Sequence, residues 1–347
     1  MDAKWVESQI NQRNHRYRCE LEDWFRDWIV GGYAERAGKA WRRDYSSVEA
    51  YERSVAPNRE RWRAVLNPPP LAVSGELESE PVPGLEDIDG RFVRLPLGGR
   101  VRAEGILAIP KTGGPAPLVV GQHGIDSQPE HVFGLIDPEG AYHSFGRRLV
   151  EAGFAVLAPM NLFGSEPRER IVRMAKMAGT TLPGIELARL QRLLDALTAR
   201  PDIDGDRIGF WGLSLGGMAA QFWAPLELRL KAVISAAWFN SRLNKMVIPD
   251  PRYSCFLDTP EEHVFIRGWL TEFADHDLLS LVCPRALLIQ AGKADGIAWY
   301  PQIEEEFAVL KTHYERLGVG DRCALDLHEG VHEVRLSTGI EWLRKWL

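Results

Sequence analysis

At 347 residues, 45% hydrophobic and 26% charged, the chain can bury one large core plus an appendage, as an ordinary globular protein does. A formal net charge of -6 supplies no field that would gather phosphate backbones, which excludes nucleic acid as an expected partner. The first residues lack a basic segment followed by an apolar one, and no apolar run reaches membrane-spanning length, so a cytoplasmic protein without a membrane partner is expected. Cys19, Cys255, Cys283 and Cys323 are scattered without C-x-x-C spacing, which argues for reduced thiols over a zinc ribbon or a disulfide framework.

Residues 1–70 are rich in Arg, Glu and Trp and poor in strand signals. Tyr17, Leu21, Trp24, Phe25 and Trp28 recur at helical spacing and form an apolar stripe that must pack on something. Further helices are predicted over 47–55 and 57–66. The region reads as a helical extension of the main domain, serving as a cap over a site or as a contact in a homodimer. Asn67-Pro68-Pro69-Pro70 ends it, because serial prolines cannot continue a helix, and 71–90 reads as a linker.

From 91 to 347 short β-rich runs alternate with helical segments, the pattern of an α/β sheet. Strands are predicted over 91–95, 100–109, 118–122, 155–158, 207–213, 232–236, 286–290 and 323–328. The first two form an antiparallel edge hairpin, and the later ones, nearly continuous in Val, Leu and Ile, are buried on both faces. Helices are predicted over 142–151, 185–199, 218–225, 302–317 and 333–346. Three connections, 125–142, 159–184 and 237–284, are long for α/β units and follow strands. Ligands of open parallel sheets bind beyond the strands' carboxyl ends. These loops should therefore build the pocket, with Trp238, Phe239 and Trp269 as candidate wall residues.

The chemistry centres on Gly212-Leu213-Ser214-Leu215-Gly216-Gly217, where an apolar strand meets Gly-x-Ser-x-Gly and passes directly into helical text. A nucleophile elbow needs this context, since the serine sits on a sharp turn whose neighbours must be small. A serine hydroxyl also needs a base, and the base an orienting group. Asp295 follows the predicted strand 286–290 and His332 follows the last strand, giving the chain order Ser, acid, His. Ser214 is the expected nucleophile, His332 the base and Asp295 the orienting carboxylate, with Asp326, inside a predicted strand, a poorer rival for the acid. Amides of Leu215 and Ile125, the latter in the turn after Gln122-His123-Gly124, are the expected oxyanion donors. His123 is read as supporting that loop through hydrogen bonds.

His328-Glu329-Gly330-Val331-His332 is also a literal H-E-x-x-H. Zinc chemistry with that motif requires a helix, whereas residues 323–327 read as a strand and Gly330 and Val331 are poor helix formers. No metal and no organic cofactor is expected.

On these residues the region from about 92 to 347 resembles the α/β-hydrolase superfamily, and within it the dienelactone-hydrolase-like and acetyl-xylan-esterase-like branch. The matching text includes His123-Gly124, Gly153-Phe154-Ala155-Val156-Leu157-Ala158-Pro159, Asp202-Ile203-Asp204-Gly205-Asp206-Arg207-Ile208-Gly209, the Ser214 elbow, Pro284-Arg285-Ala286-Leu287-Leu288-Ile289 and the His332 turn. The resemblance implies an α/β-hydrolase fold with an eight-stranded, mostly parallel sheet flanked by helices, and a serine hydrolase. Two departures stand out. Met160 and Asn161 occupy a place where the branch usually has an acidic residue, and Ser214 replaces the cysteine of dienelactone hydrolases proper. The expected function is hydrolysis of a small-molecule carboxylic ester through an acyl-enzyme. The same triad cleaving a carbon–carbon or amide bond, a non-catalytic binding protein and a zinc hydrolase are the rivals.

Overall fold

A computed structural model of the protein describes residues 3–111 and 114–347. Nine strands form one sheet: β1 Glu78–Pro81, β2 Arg91–Pro96, β3 Arg102–Ala108, β4 Ala116–Gln122, β5 Ala155–Pro159, β6 Ile203–Leu213, β7 Leu230–Ala236, β8 Ala286–Gly292 and β9 Cys323–His328. Their order is β1-β2-β3-β5-β4-β6-β7-β8-β9. The first three are joined antiparallel, β3 meets β5 antiparallel, and every later pairing is parallel. The eight-strand expectation is therefore short by one, and the missing strand, β1, lies inside the stretch read as a linker. Its Glu-Ser-Glu-Pro text is exposed at every position, so it carries none of the apolar alternation that marks a half-buried strand.

The central strands justify their continuous apolar text: β5 and β8 are buried at every position and β7 at all but Lys231. Helices pack on both faces, among them Leu182–Thr198, Leu215–Trp223, Tyr300–Arg316 and Leu336–Trp346. The helix Ser165–Met177 stands in a connection read as loop. Its inward positions are Arg168, Val172 and Ala175, and the arginine interrupts the apolar stripe that would have announced it. Among the described residues no helix is long and apolar enough to cross a membrane.

The N-terminal region behaves in two ways. One continuous helix, Val48–Leu66, contains Pro57 in its interior, where two helices broken at the proline were expected. Tyr51, Val55, Trp62 and Leu66 from it, with Tyr33 and Trp41, are buried in the same core as the sheet's own residues. Indole and phenol donors tie them down: Trp62 Nε1 to Phe222 O at 2.9 Å, Trp41 Nε1 to Glu272 O at 2.8 Å and Tyr51 Oη to Ser280 O at 2.9 Å. The helix Ala3–Arg26, by contrast, has no buried residue.

A buried polar cluster fastens the region. Tyr33 Oη donates to Asp277 Oδ2 at 2.6 Å, Arg43 also pairs with Asp277, and His276 meets Glu306 at 2.7 Å and Asp277 at 3.2 Å. Burial pulls the His276 pKa down, but hydrogen bonds to Asp277 and Glu306 and their charges outweigh it and hold it up at about 10. A folded-state pKa above the unfolded value stabilises below about pH 6.5, and that contribution is lost as pH rises toward 10. Burial lowers the His123, His263 and His313 pKa values to about 4, 3 and 3 and that of Lys245 to about 8, so these groups gain stability over the same pH range and offset His276 in the wild-type total. The His276 contribution is therefore read as a difference: between pH 6.5 and 8 the unfolding free energy of the wild type should fall by about 1.5 kcal/mol relative to that of His276→Gln, in which the other groups titrate unchanged. Urea titrations at the two pH values test this, and equal slopes in both proteins would dismiss the charged His276.

Candidate active site

Ser214 sits where β6 ends and the helix Leu215–Trp223 begins, with φ 60° and ψ -117°. This is a conformation that a non-glycine residue adopts only when its surroundings enforce it, at a cost of order 1–3 kcal/mol. The Ser214 N–H is held by Ala236 O of β7 at 2.9 Å. Glycine is obligatory around it because the backbones converge. A Cβ on Gly212 would lie 2.0 Å from Gly216 O, one on Gly216 2.2 Å from Gln122 O, and one on Gly217 2.5 Å from Ala236 O. Real Cβ contacts are not that short, and backbone has no flexible end to move aside.

The parallel run β6-β7-β8-β9 carries the other predicted residues to the same edge of the sheet. Asp295 follows β8 and is buried. His332 follows β9 and is half-buried, with its Nδ1 2.8 Å from Asp295 Oδ2. The two loops interlock. Lys293 N–H donates to His328 O, Ala294 N–H donates to Gly330 O, and a Cβ on Gly292 would meet Val331 O at 2.2 Å. The other carboxylate oxygen of Asp295 accepts from Ile297 N–H at 3.0 Å. Asp295 and His332 are thus brought together, while among the described residues no hydrogen bond joins either to Ser214. Unliganded sites often hold such contacts long. Asp326 is occupied elsewhere, with Thr338 and Gln290 as its partners.

A residue that sequence reasoning missed supports the acid. Lys245 is buried, and its Nζ donates to Ile297 O at 2.6 Å, Tyr253 O at 3.2 Å and Ser254 O at 3.4 Å. It therefore pins the peptide whose neighbouring N–H holds Asp295. Burial, reinforced by the Arg242 charge, lowers its pKa to about 8. A single lysine in a long connection belongs to no motif, and only the fold reveals its neighbours.

The turn after β4 lies against the elbow: a Cβ on Gly124 would be 3.4 Å from Ser214 Cβ and 2.9 Å from Tyr142 Oη. Tyr142 Oη accepts the Gly124 N–H at 2.6 Å. Ile125 and Leu215 donate no backbone hydrogen bond to a protein group among the described residues, which leaves both amides open. Leu215 owes this to its place in the first turn of a helix. His123 is fully buried and accepts Asn161 N–H at Nε2, 3.3 Å away. Its proton is therefore on Nδ1 and faces Gly124 O at 2.8 Å. Burial keeps it neutral, with a pKa of about 4, and it fixes the loop as expected.

Of the wall residues, Trp238 is half-buried and crosses close to the elbow, its Cβ 2.8 Å from where a Gly217 Cβ would be. Arg242 covers its ring at 4.3 Å. Phe239 and Trp269 are 1% exposed and pack in the core, Trp269 beside the cavity that Met246 and Val247 also line. Neither part of H-E-x-x-H is helical: His328 ends β9, its Nδ1 accepting Gly330 N–H at 3.1 Å, and Glu329 is exposed and paired with Lys293. Among the described residues no three His, Cys, Asp or Glu side chains are grouped to hold a metal ion.

Comparison with known proteins gives this geometry a setting. Residues 129–254 match the Dienelactone hydrolase family. The chain is 26% identical over 265 residues to the candidate hydrolase YtaP of Bacillus subtilis (strain 168), covering 73% of this chain and 86% of that protein. Among solved structures, a candidate acetyl xylan esterase of Bacteroides fragilis NCTC 9343 superimposes with a TM-score of 0.65 at 15% identity, covering 86% of this chain and 80% of that one. A glucuronoyl esterase from Solibacter usitatus superimposes with a TM-score of 0.62 at 14% identity, covering 86% and 94%. At these identities the structures establish the shared fold.

Proposed function

We propose that the chain, which shares the fold of these esterase structures and matches the Dienelactone hydrolase family over residues 129–254, cleaves a small-molecule carboxylic ester through an acyl-enzyme on Ser214. The observation that carries this reading is the strained Ser214 elbow at the same sheet edge as the Asp295–His332 hydrogen bond. The esterase names of the structural relatives support the ester bond over the carbon–carbon or amide alternatives.

Asp295 binds Nδ1–H of His332 and leaves Nε2 to take the proton of Ser214 Oγ as that oxygen attacks the carbonyl carbon. The amides of Ile125 and Leu215 receive the developing oxyanion without reorganising, since neither is committed to a protein acceptor. His332 then protonates the departing alcohol, and water, deprotonated by the same nitrogen, releases the acid and restores Ser214. The protein side of this cycle needs neither metal nor organic cofactor.

Labelling by a fluorescent alkyl phosphonate, read by intact mass, tests the proposal. One adduct is expected on the wild-type protein, none on Ser214→Ala, and the same yield with and without a chelator. Absence of an adduct on the wild type, or an adduct that survives in Ser214→Ala, would refute an activated Ser214. Ester hydrolysis without labelling and abolished by chelator would instead assign the activity to a metal.

A further inference from the structure

The helix Ala3–Arg26 spans 24 residues, ~36 Å at 1.5 Å per residue, and buries none of them. A long-range side-chain tie holds its end, Arg26 Nε donating to Val247 O at 3.0 Å. A helix alone in water is marginal, and most helical stability in proteins comes from packing an apolar face. This one has such a face. At ~100° per residue Ile10, Tyr17, Leu21 and Trp24 fall in one narrow stripe, with Phe25 on its edge, and Trp28 follows in the π-helical turn Asp27–Gly31. All are exposed, Tyr17 by 62% and Trp24 by 57%. Within one chain only the end of the stripe is covered, where the Arg36 guanidinium lies 4.0 Å over the Trp28 ring, and the rest faces solvent.

The charges beside the stripe say what would cover it. Arg13 and Glu20 lie two turns apart on the same edge of the stripe. Arg13 has no carboxylate partner among the described residues, its Nε reaching Gln9 O, and Glu20 has only a long contact of 3.6 Å to Arg16, both side chains mostly exposed. When a helix pairs antiparallel with its own copy, each edge faces the same edge of the partner. A two-fold axis near Arg16 and Tyr17 brings whole helix against whole helix. It sets Arg13 of each copy level with Glu20 of the other, so the pairing satisfies the unpaired cation twice.

Beyond the helix's end Trp28 lines a cavity of about 540 Å³ whose walls include Phe25, Met246, Val247 and Leu257. Four aromatics of ~150–250 Å² each, about half exposed, with Ile10 and Leu21, present about 500–600 Å² per copy before flanking stems are added. A standard interface buries ~800 Å² per partner.

We propose that the protein is a two-fold homodimer held by antiparallel pairing of the helix Ala3–Arg26, with Arg13 facing Glu20 across the interface. Sedimentation equilibrium of the full chain is expected to give twice the 39.1 kDa chain mass. Leu21→Arg should reduce it to one chain mass, with a loss of helical circular dichroism no larger than the 24 residues of this helix contribute, because the unpaired helix is marginal while the core does not rest on it. Arg13→Glu and Glu20→Arg should each weaken the dimer by roughly tenfold, in keeping with the ~1.4 kcal/mol that a tenfold change represents. The two reversals combined should restore it. A monomeric wild type, a dimer indifferent to Leu21→Arg, or a combined variant no better than either single one would overturn the proposal. Co-sedimentation of a monomeric wild type with phosphatidylglycerol vesicles would overturn it too, assigning the stripe to a lipid surface.

Discussion

Ser214→Ala is expected to lower kcat toward an aryl acetate by about 10⁶-fold, the scale seen when a triad nucleophile is removed, while KM changes little. The residual rate over water comes from the amides of Ile125 and Leu215, which the substitution leaves in place. Stability should respond differently. Ser214 holds φ 60° and ψ -117°, and alanine inherits that strain because it keeps Cβ. Glycine does not. Relief of ~1–3 kcal/mol of backbone strain, reduced by the ~0.5–1 kcal/mol that glycine's extra freedom costs in folding, leaves Ser214→Gly about 1 kcal/mol more stable than wild type. Urea unfolding of the two variants beside the wild type measures this. A Ser214→Ala protein with more than a few per cent of wild-type kcat, or a Ser214→Gly protein less stable than its parent, would remove the grounds for a strained nucleophile.

Residues that announce a function by local pattern were legible in the sequence, and residues that act through the fold were not. Gly212, Gly216 and Gly217 could be read from one hexapeptide because the elbow's sequence pattern is local, although only the approach of Gly212 to Gly216 lies within it and those of Gly216 and Gly217 are to Gln122 and Ala236 on neighbouring strands. Asp295 and His332 could be read because the parallel run of β6 to β9 delivers every strand-to-helix loop to one edge. Lys245 could not, since its contact with Ile297 crosses from the connection 237–284 to the separate loop after β8. Phe239 and Trp269 show the opposite limit, because aromatics in a long connection look alike in sequence whether they face a ligand or pack in the core, where both lie 1% exposed. The strand Glu78–Pro81 escaped for want of a buried face, and Ser165–Met177 because Arg168 occupies an inward position, paired with Glu186 at 2.7 Å. The stripe on Ala3–Arg26 was legible as an apolar face in need of a partner, and the fold adds that no residue of the helix is buried within the described chain.

Asp295→Asn is expected to lower kcat by about 10⁴-fold with the fold intact, and the reason lies in its two hydrogen bonds. One carboxylate oxygen accepts Ile297 N–H and the other faces His332 Nδ1. An asparagine of the same shape has a single oxygen to satisfy both. The Ile297 N–H cannot yield, because Lys245 Nζ and that peptide's neighbourhood fix the turn. The amide oxygen therefore turns to Ile297, and the amide NH₂ is left facing His332. A donor there stabilises the tautomer with its lone pair on Nδ1 and its proton on Nε2, which cannot accept the proton of Ser214, and the loss follows the scale known for this wrong-tautomer change. Phosphonate labelling should slow in parallel, since it uses the same base. Asp326→Asn serves as the comparison. Asp326 is engaged by Thr338 and Gln290, away from the imidazole, and its replacement should leave kcat within about tenfold. A reversal of the two effects would make Asp326 the acid and reduce Asp295 to a loop anchor; a loss in Asp295→Asn confined to KM would mean that His332 needs no orienting carboxylate.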